Sequence, residues 1–247
     1  MTTAPSRAEA GELSGAVVVV TGSSTGIGRA LASRLAAASA TVIGCARRSA
    51  APIEGVEQHE LDLSLPGAIA ELIARAAERG PIDAWVNNAG SLGRIGPLAD
   101  VEADELMGHV ALNVASIAEA SAAFADHVRS RPGPGVLINL SSGAASSPRA
   151  GWAMYCASKA YIDMLTRTLA LETEDGELRV YSVAPGVVDT DMQSQIRQVD
   201  ERRFPSRQLF VEMHRRGELR HPDEVAVQLV ELLAGRWHPD EVVLRLS

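Results

Sequence analysis

Short, continuous apolar runs alternate along this chain with longer stretches in which apolar residues recur every three or four positions. AVVVV (16–20), TVIGCA (41–46), IDAWVNN (82–88), GVLINLSS (135–142) and LRVYSVA (178–184) read as strands. HELD (59–62) closes a weaker strand, and EVVLRL (241–246) is a last one. The helical period appears from Gly26 to about Ser39. It returns around Ile69, Leu72, Ile73 and Ala76, up to the Gly80-Pro81 stop. Further helices are predicted from Asp104 to about Arg129, from Trp152 to Leu171, and over 222–235.

Strands that are apolar on both faces and separated by helices imply a parallel sheet covered on both sides. Right-handed crossovers make it doubly wound. The predicted fold class is therefore a single-domain α/β protein. Residues 15–247 form the domain, and residues 1–14, without an apolar core, form a flexible leader. The polar, arginine-rich stretch 191–218 carries Met192, Phe204, Phe210 and Met213. It is read as a lid over a substrate, with packing on the domain or on a second copy as the alternative.

Composition narrows the partners. A formal charge of −8 and a pI near 5.3 disfavour nucleic acid and anionic membrane surfaces. No run approaches the roughly 18 apolar residues of a membrane span. Cys45 and Cys156 fit no metal or redox spacing, so reduced thiols in a cytoplasmic protein are expected. The six histidines are scattered, and no metal site is proposed.

Between the first strand and the first helix stands TGSSTGIG (21–28). Gly22, Gly26 and Gly28 let the backbone turn tightly and approach a phosphate. Ser24, Thr25 and Ile27 lie at the helix N-terminus, which offers free N–H groups and a positive dipole end. Dinucleotide sites for NAD place a carboxylate at the end of the second strand to hold the ribose. Here the stretch is GCARR, with Arg47 and Arg48 in place of an acid. That favours the 2′-phosphate of NADP(H), with Arg47 as the contact and Arg48 the more exposed.

Lys159 is the single lysine among 23 Lys and Arg residues, and it follows Tyr155 by four positions in GWAMYCASKAY (151–161). On a helix, positions i and i+4 share a face. A tyrosine is too weak an acid for efficient transfer at neutral pH, and a cation about 4–6 Å away lowers its pKa. Lysine, with a movable pKa and three donors, suits that task better than arginine's fixed fork. Tyr155 is expected to be acidified by Lys159.

Taken together, TGSSTGIG, NNAG (87–90), LNV (112–114), NLSS (139–142), YCASK (155–159) and APG (184–186) resemble the short-chain dehydrogenase/reductases. The resemblance spans about residues 15–235. It implies a Rossmann-type sheet of about seven strands and a catalytic set of Asn113, Ser142, Tyr155 and Lys159. Cofactor contacts are implied at Asp62, Leu63, Asn88, Ala89, Gly90, Pro185, Gly186, Val188 and Thr190, beside Tyr155 and Lys159. The substrate, a small-molecule carbonyl, would meet Ser142, Trp152, Tyr155 and Met192. A homodimer or homotetramer is implied as well.

NNAGSLG (87–93), GWAMYCASKA (151–160) and APGVVDTDMQ (184–193) are similar to the sepiapterin reductase branch and the benzil-reductase-like proteins beside it. The expected activity is NADPH-dependent reduction of an activated ketone or vicinal diketone. Sepiapterin reduction is the alternative, but that branch anchors the pterin with an acid near the C-terminus, and EVVLRLS lacks one there. A non-catalytic dinucleotide-binding regulator would be expected to lack part of the Ser/Tyr/Lys/Asn set. All four are present.

Overall fold

The computed structural model describes residues 13–48, 51–173 and 176–246. Nearly all of the expected leader, the Glu174-Asp175 pair and Ser247 lie outside the described residues.

Seven strands form one parallel sheet in the order β3-β2-β1-β4-β5-β6-β7. They are β1 Val17–Thr21, β2 Thr41–Ala46, β3 Val56–Glu60, β4 Ile82–Asn87, β5 Gly135–Leu140, β6 Leu178–Ala184 and β7 Val243–Arg245. Three helices start just beyond strand ends and lead the chain back: α1 Gly26–Ala37, α2 Ala68–Ala77 and α5 Ala153–Glu172. The expected 104–129 helix is two, α3 Ala103–Val110 and α4 Ser116–Arg129, joined by a π-helical turn over Ala111–Ala115. A wider turn of this kind inserts one residue and leaves no mark in apolar periodicity. After β6 come α6 Asp191–Gln198, α7 Arg207–Arg215 and α8 Pro222–Leu233.

The side-chain alternation of β1 sorts the core into two layers. Val18 and Val20 face α1 and α8, meeting Leu31, Leu35, Val225 and Leu229. Val17 and Val19 face the other side, with Leu72 of α2 and Phe124 of α4. β1 is buried at all five positions, as a central strand must be, whereas β3 is partly exposed along its length at the sheet edge. Its apolar content is accordingly the weakest, and periodicity placed it a few residues too far along.

Chain order reverses between β1 and β4, so the crossovers on either side of that point leave opposite ways and open a crevice at the strands' C-terminal ends. A buried polar chain crosses beneath that crevice. Trp85 Nε1 donates to Asn87 Oδ1 (2.8 Å), Asn87 Nδ2 to Asn139 Oδ1 (2.8 Å), and Asn139 Nδ2 to Thr166 Oγ1 (3.0 Å). Three carboxamide and hydroxyl side chains thus tie β4, β5 and α5 together with each donor matched.

Asn139→Ala would leave Asn87 Nδ2 with only the 3.4 Å contact to Ser121 Oγ and would remove the donor to Thr166 Oγ1, which still donates to the Ile162 carbonyl. A loss of about 1–3 kcal/mol is expected from weakening these buried bonds. Urea unfolding of the variant beside wild type measures it, and a loss under 1 kcal/mol would mean the chain is not a stabilising unit.

Candidate active site

The glycine-rich loop closes β1 and opens α1 at the crevice. Thr21 Oγ1 accepts from the backbone N–H of Asn88 and of Ala89 (3.0 Å each), and Asn88 Nδ2 donates to the Thr21 carbonyl (2.8 Å). The ends of β1 and β4 are thereby locked together. Gly22 and Gly26 have φ of +67° and +55°, which glycine adopts without strain. Gly28 serves differently. A Cβ there would lie 2.3 Å from the Gly22 carbonyl oxygen, so its role is to let α1 press against the loop.

Thr25, the N-cap of α1, makes no side-chain cap bond, and the first turn holds no acidic residue. Its N–H groups are left for an external anion. A cavity of about 430 Å3 runs along this loop. Gly22, Ser24, Thr25, Gly26 and Ile27 line it, as do Asp62, Leu63, Asn88, Ala89 and Gly90. Arg47 and Arg48 stand at one end, Tyr155, Lys159, Pro185 and Thr190 at the other. The concave loop, uncapped helix and terminal guanidiniums fit a dinucleotide phosphate backbone. Both arginines are exposed. Asp62 Oδ1 accepts from the Ser64 hydroxyl (2.6 Å), and these Ser64 bonds, with Arg47 nearby, hold its carboxyl below the usual range. Cys45 lies under the cavity floor, and burial pushes its thiol up to about 12.

A second cavity, about 240 Å3, adjoins the first. Ser142, Trp152, Gly186, Val188 and Met192 line it, and Tyr155 belongs to both. Gly186 and Val188 thus fall on this side. Their loop is held by Arg220, whose Nη1 donates to the Pro185 carbonyl (3.0 Å) and whose backbone bridges Val188. Periodicity gave no sign of Arg220. The lid segment folds as α6 and α7 over this cavity. Phe204 and Phe210 are buried against Trp152, with the Trp152–Phe204 rings stacked at 4.7 Å. Trp152 both walls the cavity and packs, with its ring edge-on to Tyr155 at 5.5 Å.

The four residues of the expected set converge. Ser142 and Tyr155 line the same cavity, and Ser142 is close enough to lower the Tyr155 pKa. Lys159, one turn on along α5, donates to the Leu140 carbonyl (2.7 Å) and stands 5.7 Å from the Tyr155 ring centroid. Asn113 sits in the π-turn, fully buried, with its Oδ1 accepting from Ser91 N–H (2.9 Å) and Nδ2 donating to Ser91 O (2.8 Å). Gly90 lies between Asn113 and Lys159. A Cβ on it would be 2.9 Å from Asn113 Oδ1 and 3.9 Å from Lys159 Nζ.

Burial pushes Tyr155 up to about 12, against Ser142, and brings Lys159 down to about 8, against the pull of Asp163. Desolvation of the charged form is the largest influence on each, since both side chains are almost wholly buried. Asp163 is buried below and accepts from Ser182 Oγ (2.6 Å).

His109, one of the six scattered histidines, packs against the cluster. It is buried, with Nε2 3.3 Å from Ser158 Oγ and ring nitrogens 3.0 Å from Asn113 Nδ2. Burial lowers its pKa, and the Lys159 charge adds to this, so the ring is neutral and accepts from Asn113. The i, i+4 spacing of His109 and Asn113 was the available signal.

A doubly wound parallel sheet with a phosphate loop at its switch point and a Ser–Tyr–Lys–Asn cluster beside it defines a Rossmann-type oxidoreductase. Comparison with known proteins agrees. The short chain dehydrogenase family model matches residues 16–201. A benzil reductase ((S)-benzoin forming) of Bacillus cereus is 31% identical over 93% of this chain and 98% of that protein. A sepiapterin reductase of Meriones unguiculatus is 36% identical over 77% of this chain and 80% of its own length. A short chain dehydrogenase structure from Burkholderia cenocepacia, in complex with NADP, superposes with a TM-score of 0.76. It is 29% identical, covering 96% of this chain and 98% of that one. The chain belongs to the short-chain dehydrogenase/reductase family and is an oxidoreductase that binds a nicotinamide dinucleotide.

The depressed Lys159 carries a stability consequence. Between about 8 and 10.5 the unfolded chain binds more protons than the folded one at this position, so Lys159 makes stability rise with pH through that window. At pH 7 the buried ammonium is a net cost of roughly 3 kcal/mol, offset in part by about 1 kcal/mol for the bond to Leu140. Lys159→Met should therefore stabilise the fold at pH 7 by about 1–2 kcal/mol, with the gain shrinking toward pH 10. Thermal unfolding across pH measures this, and a destabilised variant at pH 7 would show that the ammonium is better compensated than burial implies.

Proposed function

We propose that the protein is an NADPH-dependent carbonyl reductase acting on an activated ketone or vicinal diketone. The observation that carries this reading is the place of Tyr155, where the two cavities meet, with Ser142 in the same cavity wall and Lys159 one turn away. When bound, the nicotinamide supplies hydride to the carbonyl carbon. Tyr155 gives its proton to the carbonyl oxygen, so that C=O becomes CH–OH, and Ser142 hydrogen-bonds that oxygen as charge develops. A tyrosine near 12 keeps its proton until an alkoxide forms, which suits reduction. Lys159 holds the ribose and, with Asn113, a path for replacing the proton. Arg47, flanked by Arg48, pairs with the 2′-phosphate.

The likeness to sepiapterin reductase keeps the pterin side chain as a second substrate reading. Against it, the end of β7 offers Arg245, bound to Ser146 Oγ (2.7 Å), where an acid would be needed. No helix among the described residues is long and apolar enough to cross a membrane. Two unpaired cysteines suit a reducing cytoplasm. Self-association is supported by exposed apolar residues on one face of α5 (Tyr161, Met164, Leu171) and by Met107 and Val110 of α3.

Purified protein should oxidise NADPH with benzil and not with sepiapterin. Arg47→Ala should weaken NADPH by about tenfold or more and NADH little, as expected on losing a charged phosphate contact. Sepiapterin turnover above benzil would favour the pterin reading, and equal loss for both nucleotides would free Arg47 of the phosphate. Met164→Glu should lower the mass seen by light scattering to that of one chain, whereas an unchanged oligomer would place the contact elsewhere.

A further inference from the structure

The cavity that would take the substrate carries one charge. Among the described residues, Arg149 is its sole charged lining residue and no carboxylate lines it. The guanidinium lies over the Phe210 ring, 5.2 Å from its centroid. Elsewhere the chain's arginines commonly find carboxylates: Arg34 with Asp223, Arg75 with Glu71, Arg236 with Glu231. Arg149 has no acidic partner among the described residues, in a protein with eight more acids than Lys and Arg combined. A ring face holds a guanidinium in position without using its N–H donors, which stay free for a planar acceptor.

The rest of the wall states what surrounds that acceptor. Arg149 sits over Phe210, Phe210 lies 5.5 Å from Trp152, and Trp152 lies 5.5 Å from Tyr155. The cation and the proton donor are therefore separated by aromatic surface, with the Tyr155 hydroxyl at one end and the guanidinium at the other. At about 240 Å3 the cavity is smaller than the 300–1,000 Å3 typical of drug-sized ligands.

We propose that the substrate is an oxo acid, a ketone whose carbonyl lies at Tyr155 and Ser142 and whose carboxylate pairs with Arg149 across the aromatic wall. This rests on the carbonyl-reductase reading and names the substrate class within it. Recognition is by charge and a planar fork at one end and by apolar surface between, so a neutral ketone of the same shape is the discriminated competitor.

The test pairs benzoylformate, 3-benzoylpropionate and 4-benzoylbutyrate with their methyl esters as substrates with NADPH. For the acid whose length matches the wall, wild type should prefer acid to ester by about 10–100-fold in kcat/KM, the range for a charge-assisted contact. Arg149→Met should bring that ratio toward one, and Arg149→Lys should keep part of it. Equal use of acids and esters by wild type, or a preference that survives Arg149→Met, overturns the proposal. Calorimetry on the NADP-loaded protein with 3-phenylpropionate and 3-phenylpropanamide gives a readout independent of turnover. Tighter binding of the acid, lost in Arg149→Met, sustains the anion site even if no ketone is reduced, in which case the reductase reading alone falls. Equal binding of acid and amide counts against Arg149 whatever the turnover.

Discussion

An ammonium sealed from water at the C-terminal edge of the sheet is the constraint around which this site is built. Lys159 is held by the Leu140 carbonyl on one side and by the field of Asp163 on the other. Neither fully offsets its desolvation, and the surrounding structure must keep it in place. The polar chain from Trp85 through Asn139 to Thr166 does this by tying α5 to β4 and β5. Phosphate loop, π-turn and aromatic lid are then arranged around a helix that cannot shift.

The tyrosine's high pKa is the other side of the same burial. Water exclusion that suppresses ionisation of Tyr155 also makes each hydrogen bond to a developing alkoxide count for more. Burial is the largest influence on both Tyr155 and Lys159. Spacing alone pointed to charge pairing because spacing says nothing of solvent.

Most of the framework was legible from residue order. Continuous apolar runs located β1, β2, β4, β5 and β6 to within two residues, since fully buried strands leave no polar interruption. β3 was displaced because Val56–Glu60 sits at an edge with little apolar demand, and β7 proved shorter than its apolar run. The π-turn was hidden since one extra residue barely disturbs a 3.6-residue period. Motif spacing located the residues of the site, and they converge as expected. Contacts made by residues outside the motifs stayed unread: His109 on Asn113, Arg220 under the Pro185 loop, and Arg149 over Phe210. Each depends on which distant segment folds against it, which a one-dimensional pattern does not carry.

The two cavities draw on different parts of the chain. The larger is framed by strand ends and loops whose geometry the sheet dictates. The smaller takes much of its wall from 143–152 and 192–210, segments that cap the sheet rather than build it. Residues such as Arg149, Met192 and Phe210 can therefore be exchanged without moving a strand. The molecule divides into a chassis that fixes the chemistry and an interchangeable front end that chooses the molecule it acts on. Variation confined to those two segments is the economical route to a new substrate on the same catalyst.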